Sequence, residues 1–279
     1  MPEIRSAFAA VGVTDIRTTV TEHEEKELTR RAIGEGATTV VACGGDGTVS
    51  NVANAILESG AGSSVRLGLV AAGTGNDYYK TVGAPARDIA ATAKLAVEGP
   101  DVPVDVGKIE GKYFLNVTGF GFDMAVLEDI RNIGWLTGPA LYNYSALRQL
   151  LFYRGVRIGI RTGAATRQAH HLMLIIANAR YFGGTFFLAP QASLTDGQLD
   201  AVSFHDTSPL RRMRLFAKVI RGTHTAQPEV VIEQSDRFHL HFPAPPPYEI
   251  DGEYNRASSA ELTVTCVPKA LRVVTPGTR

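Results

Sequence analysis

Cysteine is nearly absent from this chain of 279 residues, which holds 2, Cys43 and Cys266. They lie far apart in strand-like stretches with no C-x-x-C spacing, which excludes a disulfide framework and a zinc site. Both are expected to be buried. Long apolar runs are lacking as well. The longest, near LMLIIANA at 172–179, is far short of the roughly 20 residues that span a bilayer. The opening MPEIRSAFAAVGV has no charged leader followed by an apolar stretch and a small-residue cleavage site, so no secretory signal is read and a cytoplasmic chain is expected. Net charge is absent too: 28 Lys and Arg balance 28 Asp and Glu, and no nucleic-acid partner is expected. The balance conceals an asymmetry. Residues 1–140 hold 12 Lys and Arg against 18 Asp and Glu, and 141–279 hold 16 against 10, so the halves carry −6 and +6. Such a split hints at a charged partner surface in the second half.

What is present is enough apolar material, 44%, and enough length for two domains rather than one core. Thr21 with Glu24 reads as a capping box opening a helix that carries acids early, arginines late and glycines at its end. TTVVAC then gives a short β-branched strand, GGDGT a turn, and VSNVANAILESG a helix with Val49, Val52, Ala53, Ile56 and Leu57 at helical spacing. The unit repeats as VRLGLVAA, GTGND and a further helix. The second strand lacks strict alternation, as a strand covered on both faces should. Two parallel strands ending in glycine turns place 44–48 and 73–77 along one crevice, because ligands of such sheets bind beyond the strands' carboxyl ends. From about Pro103 the pattern changes to short alternating strands with hairpin signals, Glu110 and Gly111 at the first turn, and a second, mostly antiparallel domain is expected. One helix interrupts it, with Ser208 as N-cap, Pro209 in its first turn and Gly222 past its end. Arg211, Arg214, Lys218 and Arg221 form one stripe on it, and Leu210, Met213, Ala217 and Ile220 another.

GGDGT is not a P-loop, because no GK[ST] follows, and not a dinucleotide fingerprint, because the third glycine position is occupied by Ser50. It remains a glycine turn opening a helix, whose N–H groups and dipole suit phosphate oxygens. A carboxylate there repels phosphate unless a cation lies between, so Asp46 implies magnesium. Asp77 ends the second turn and Asp105 begins the second domain's first strand, giving three carboxylates able to converge on one metal. Each taken alone is also an ordinary turn or capping residue.

With these turns, VDVGK at 104–108, FLNVTGFGFD at 114–123, AN at 177, FGG at 182, LAPQA at 188–192, TDGQLD at 195–200 and IDGE at 250–253, the chain resembles the diacylglycerol kinase catalytic-domain family. These are bacterial lipid kinases related to sphingosine and ceramide kinases and remotely to NAD kinases and phosphofructokinases. The resemblance covers nearly the whole chain. It implies an α/β nucleotide-binding domain over 1–105, a β-sandwich-like substrate domain over 106–266, and a final segment, 267–279, returning to the first domain. It further implies ATP-dependent transfer of the γ-phosphate to a lipid hydroxyl, most readily that of diacylglycerol, in phospholipid metabolism. Gly44, Gly45, Gly47 and Thr48 would hold ATP phosphates together with Asp46, and Gly73, Thr74, Gly75 and Asn76 would add contacts. Asp46, Asp77 and Asp105 would surround catalytic magnesium. Asp251 would be the general base with Glu253 in support, and Asp196 would ligate a second, structural magnesium.

Two departures accompany the resemblance. The family begins with a strand and an NPxSG-type turn, whereas this chain opens in what reads as the first helix. Asn51 also stands where relatives carry Glu, so a charge near the nucleotide is expected to be lost. The aromatic stretch 133–155 and the basic stripe are read as touching the membrane, placing the protein peripherally on its inner face; a homodimer is compatible with the sequence. An NAD kinase-like enzyme and a non-catalytic nucleotide-binding remnant are the alternatives.

Overall fold

The elements follow the two periodicities of the chain. The computed structural model describes every residue except 1, 22, 85–87, 135, 137, 164 and 277–279, and leaves out the side chains of 138–140, 142 and 143. Trp135 and Thr137 of the aromatic stretch, and 277–279 of the returning segment, therefore lie outside the described residues. In chain order come α1 (Pro2–Ala10), α2 (Glu24–Gly34), β1 (Thr39–Gly44), α3 (Asp46–Glu58), β2 (Arg66–Ala71), α4 (Asp77–Val82) and α5 (Ile89–Glu98). Next are β3 (Asp101–Ile109), β4 (Lys112–Phe114), β5 (Val117–Gly121), α6 (Phe122–Asn132), α7 (Gly138–Phe152), β6 (Val156–Thr162) and β7 (Ala165–Ala177). After them lie β8 (Tyr181–Phe182), β9 (Phe186–Phe187), β10 (Leu199–His205), α8 (Pro209–Ile220), β11 (Val230–Ser235), β12 (Arg237–His241), β13 (Pro247–Ile250), β14 (Glu253–Arg256) and β15 (Glu261–Val274).

β1 and β2 run parallel from Thr39↔Arg66 to Gly44↔Ala71, so both glycine turns leave the same edge of the sheet. α3 buries Val49, Val52, Ala53 and Ile56 against them, the face its spacing predicts. On the opposite side Phe8 of α1 packs with Val70, Ala93 and Ala96. The capping box forms only by half. The helix begins at Glu24, whose Oε2 accepts from the backbone N–H groups of Val20 and Thr21, while the N-cap is His23 with no side-chain cap. Cys43 is exposed rather than buried. Among the described residues β1 pairs with β2 alone, and an edge strand has a neighbour on one side only.

The later strands are mostly antiparallel, as the alternation predicts, and close over Phe120, Phe238, Phe242 and Tyr248. Phe120 lies 5.0 Å from Phe242 and 5.8 Å from Tyr248, ring centre to ring centre. β15 joins the halves: its start pairs with β12, and Arg272 and Val273 near its end pair in parallel with Arg66 and Leu67 of β2. Between them the strand bulges from Val267 to Leu271, with Lys269 in the left-handed region at φ 52°.

α8 departs from a simple amphipathic reading. It buries Arg212, Leu215 and Val219, and leaves Leu210, Met213 and Ile220 exposed. Arg212 is buried because it is saturated with acceptors: its guanidinium donates to the carbonyls of Thr207, Leu150 and Tyr153 and to the Asp206 carboxylate. The Leu150 carbonyl belongs to the last turn of α7, whose final oxygens have no partners inside the helix, and that of Tyr153 follows directly after it.

Candidate active site

The two glycine turns pack backbone against backbone. A Cβ on Gly73 would stand 2.4 Å from the Cα of Gly45, and one on Gly45 would stand 3.2 Å from the Cα of Gly73. Any side chain there forces the turns apart, so glycine is required by close approach rather than by φ. The second turn is stapled by Asn76: its Oδ1 accepts from Gly73 N–H at 3.1 Å and its Nδ2 donates to Gly73 O at 2.7 Å. Asp46 then bridges the turns, its Oδ1 accepting from the N–H groups of Asp77 and Tyr78 at 2.6 and 3.2 Å. Burial, with the nearby Asp77 charge adding to it, holds the Asp46 carboxyl above its ordinary range. Asp77 accepts from Lys80 Nζ at 2.9 Å and from Gly184 N–H at 2.8 Å, which ties the turn between β8 and β9 over the same crevice.

Asp251 arrives from the other half of the molecule. It and Gly252, at φ 48° and 90°, form the two-residue turn between β13 and β14, a conformation for which the Asp-Gly pair is suited. Its Oδ1 accepts from Asn116 and Val117 N–H at 2.8 and 3.0 Å, and its Oδ2 from Leu115 N–H and Ser50 Oγ, both at 2.9 Å. Four donors fill the lone pairs of one carboxylate. Ser50 is the donor that can rotate away. Burial nevertheless dominates and keeps the Asp251 carboxyl above the usual range, against those four donors.

A cavity of about 820 Å³ connects these groups, within the ordinary size for a small-molecule site. At one end lie Asp46, Thr74, Gly75, Asp77 and Asp251. The rest is apolar, walled by Phe122, Val126 and Leu127 of α6, Leu147 and Leu150 of α7, Phe186, and Phe216 and Val219 of α8. Asp123 and Glu249 also line it.

Other residues singled out from the sequence fall elsewhere. Gly44, Gly45, Gly47 and Thr48 shape the first turn without lining the cavity; Thr48 tucks against Gly44, whose Cβ would stand 2.4 Å from its Oγ1. Asp105 is buried away from it, its oxygens accepting from Lys269 N–H and Gly197 N–H, both at 2.7 Å. It pins the β15 bulge and the 194–197 loop to β3. Asp196 sits on that exposed loop, accepting from Gln198 N–H at 3.0 Å. Glu253 follows the two-residue turn, pairs with Ile250 and faces solvent. Among the described residues no group of three or more His, Cys, Asp or Glu comes together as a metal cluster. Asn51, where a charge near the nucleotide is expected to be lost, lies outside the cavity lining. Its amide donates to Glu25 Oε1 at 2.6 Å on α2, because five residues along a helix turn it about 140° from Asp46. The residue at 51 therefore knits helices and does not face the cavity.

With this geometry in place, comparison with known proteins decides the relationship. Residues 1–109 match the diacylglycerol kinase catalytic domain, and residues 116–275 match the YegS C-terminal NAD kinase beta sandwich-like domain. A diacylglycerol kinase of Mycobacterium tuberculosis is 30% identical over 260 residues, spanning 91% of this chain and 82% of that protein. The chain belongs to the diacylglycerol kinase family. A YegS-like lipid kinase of Klebsiella pneumoniae is 32% identical over 240 residues, spanning 85% and 78% of the two chains. A diacylglycerol kinase structure from Bacillus anthracis superposes with a TM-score of 0.74 at 18% identity, covering 98% of this chain and 91% of that one. This likeness concerns the fold. The relatives make the protein an ATP-dependent lipid kinase.

Ser50, which bonds the lipid kinase's Asp251, and two residues of the cavity, Glu249 and Asp123, differ in how far the sequence marks them. Ser50 follows Asp46 by one helical turn and shares its face. Glu249 precedes Asp251 by two residues, the spacing that puts strand side chains on one face. Asp123 closes the FGFD motif at the start of α6, yet nothing local distinguishes it from an ordinary acid of a helix's first turn.

Proposed function

We propose that the kinase phosphorylates diacylglycerol bound along this cavity, with the reacting hydroxyl at Asp251 and the acyl chains between α6, α7 and α8. The observation that carries the reading is one continuous space running from a carboxylate cluster beside the paired glycine turns to an apolar wall. ATP phosphates would lie against the turns, where N–H groups at the start of α3 favour anions.

The acidic end suits magnesium. A Cβ on Gly75 would stand 2.8 Å from Asp46 Oδ2 and 3.7 Å from Asp77 Oδ2, so hard oxygens from two carboxylates flank one point. Such a pair, completed by phosphate and water, is the ordinary protein share of a magnesium site. Asp46 and Asp77 would hold it, and when bound it offsets the charge that develops on the phosphates. Asp105, Asp196 and Glu253 have no part in this arrangement.

In the transfer, Asp251 takes the hydroxyl proton as the O–H bond breaks, and the acceptor oxygen forms its bond to the γ-phosphorus. The bond to the β,γ-bridging oxygen breaks, and its electrons leave with ADP. For Oδ2 to receive the proton, the Ser50 hydroxyl swings aside. A positioned base contributes about 10² to 10⁴ in rate.

The cavity wall continues outward as an exposed apolar face: Leu147, Leu151 and Phe152 of α7, and Leu210, Met213 and Ile220 of α8. Phe152 is 74% and Leu210 69% exposed. The basic stripe of α8 flanks this face, and Arg214 and Arg221 have no acidic partner among the described residues. Apolar residues beside basic ones suit the surface of an anionic bilayer, from which the acceptor would enter. No helix among the described residues is long and apolar enough to cross a membrane. Radiolabelled ATP supplied with diacylglycerol, sphingoid bases, phosphatidylinositol and NAD tests the reading. Labelled phosphatidic acid is expected; product from NAD alone, or no turnover of diacylglycerol, overturns it.

A further inference from the structure

Asp77 belongs to the acidic end of the cavity, and an ammonium is paired with it. Lys80, three residues further along α4, donates from Nζ to Asp77 Oδ1 at 2.9 Å and to the Gly184 carbonyl at 2.5 Å. The same nitrogen lies 5.7 Å from the centre of the Tyr181 ring. An ammonium has three N–H donors, so these two bonds leave one uncommitted. Gly184 also donates its N–H to Asp77 Oδ2 at 2.8 Å. Lys80, Asp77 and Gly184 therefore close a ring of bonds between α4 and the tip of the β8–β9 hairpin. The tip touches the second glycine turn as well: a Cβ on Gly184, at φ 79°, would stand 3.4 Å from the Cα of Gly75.

That fastening matters because little else places the hairpin. β8 and β9 pair at Tyr181↔Phe187 and Phe182↔Phe186, and among the described residues neither joins the large sheet. A two-stranded ribbon of this size is marginally stable by itself. Its second strand is seated against α8 and the residue just beyond it. Phe186 and Phe216 lie 6.4 Å apart, ring centre to ring centre, and Phe187 fills the space that a side chain at Gly222 would need. Phe182, Thr185 and Phe186 line the cavity. One short hairpin thus meets the phosphate end through Gly184 and the apolar wall through its phenylalanines.

We propose that Lys80 is a positioning residue of the transfer: it fixes the hairpin so that ATP on the glycine turns and lipid against Phe182 and Phe186 strengthen each other's binding. The inference rests on both substrates meeting in this cavity and deepens that reading by making their binding mutually dependent. Each substrate favours the fastened hairpin for its own reason. Phosphate against the second turn brings negative charge toward the ammonium, whose place is kept by the Gly184 carbonyl. An acyl chain gains the two phenylalanine faces only where the hairpin closes the wall. A ligand shifts a two-position element by its difference in affinity for the positions. Coupling through such an element is reciprocal: ATP raises the affinity for lipid by the factor by which lipid raises that for ATP.

Binding of a non-hydrolysable ATP analogue to the full chain, measured by calorimetry in detergent micelles with and without 1,2-dioctanoylglycerol, tests this. In the wild type the lipid should lower the analogue's Kd at least about fivefold. Lys80→Met removes the charge and both bonds and keeps the stem; the side chain is 36% exposed, so the variant should fold. In it the factor should fall to within about twofold of one. A purely structural role would weaken each ligand alone and leave the factor intact. No mutual effect in the wild type, or an unchanged factor in Lys80→Met, overturns the inference even while diacylglycerol is phosphorylated. If diacylglycerol is not phosphorylated, the proposed function has failed instead, and hydrogen exchange with the analogue alone judges the hairpin. Amides of 181–187 should exchange at least about tenfold more slowly when the analogue is added to the wild type, and at an unchanged rate in Lys80→Met. No slowing in the wild type, or equal slowing in the two, overturns the inference.

Discussion

Replacing Asp251 by asparagine separates its chemical role from its structural one, and the size of each follows from its four donors. With the amide oxygen turned toward Asn116 and Val117, both of their N–H groups keep an acceptor. The amide nitrogen then faces Leu115 N–H and the Ser50 hydroxyl. Ser50 can rotate and accept instead, which leaves one backbone donor, that of Leu115, unmet. One such orphan costs about 1–3 kcal/mol, equivalent to a fall in Tm of roughly 2–12 °C for a chain of this size. Alanine would strand three backbone donors and the serine, a loss comparable with the whole stability of about 5–15 kcal/mol, so its inactivity would carry no mechanistic information. Asp251→Asn should therefore remain folded and bind ATP with unchanged Kd, while kcat falls by about 10² to 10⁴. Scanning fluorimetry, equilibrium ATP binding and radiolabelled turnover measure the three quantities. Turnover within tenfold of wild type would remove Asp251 as the base, and an unchanged Tm would refute the four-donor account of its carboxylate. A pH profile adds an independent reading. Because burial raises this carboxyl, kcat/KM should decline toward lower pH from a point above the usual carboxylate range, as the base becomes protonated.

Gly73→Ala should push the glycine turns apart, since its Cβ would stand 2.4 Å from the Cα of Gly45; a rise of at least about tenfold in the Kd for ATP is expected by calorimetry, and unchanged binding would show that the turns are not the phosphate cradle. Asp200 is buried with Oδ1 unpartnered, and burial, with the Asp196 charge nearby, pushes its carboxyl up to about 6. The folded chain holds that proton more tightly than the unfolded one, so stability from this group is lost as pH rises from the ordinary carboxylate range through about 6. Asp200→Asn should raise stability by on the order of 2 kcal/mol at pH 7.5 and change it little at pH 4, which denaturant melts at the two pH values decide. Reversing the charges of Arg211, Arg214, Lys218 and Arg221 should reduce sedimentation with anionic vesicles at least about tenfold, with added salt doing the same to the wild type; unchanged sedimentation sinks the membrane reading of α8.

Periodicity and turn chemistry determined the local structure. α3 buries the apolar residues its spacing selects, β1 and β2 end in the two glycine turns, and Glu110 with Gly111 turns β3 into β4 at φ 45° and 83°. These outcomes depend on neighbours in sequence, where backbone sterics and face spacing act. The motifs, taken together, also determined the family. What the sequence could not supply was direction. Asp105 is a third carboxylate after the glycine turns, but its oxygens are taken by backbone N–H groups, Oδ1 by Lys269 in the β15 bulge and Oδ2 by Gly197. Glu253 lies two residues from Asp251, and a tight turn sends the two apart. Spacing groups Leu210, Met213 and Ile220 on one stripe of α8 without deciding whether it is covered; it is exposed, and Arg212 is buried with Leu215 and Val219 because carbonyls at the end of α7 and just beyond it accept from its guanidinium.

The cavity itself is the clearest case. Ser50, Asp123, Glu249 and Asp251 come from positions as much as 201 residues apart, and their juxtaposition is made by strand order and by β15 crossing between the halves. A residue's type and spacing determined what each carboxylate could do. Only the tertiary structure decided which of them meet donors, which meet each other, and which face the space where a lipid would lie, because burial and hydrogen-bond partners are properties of the packed chain.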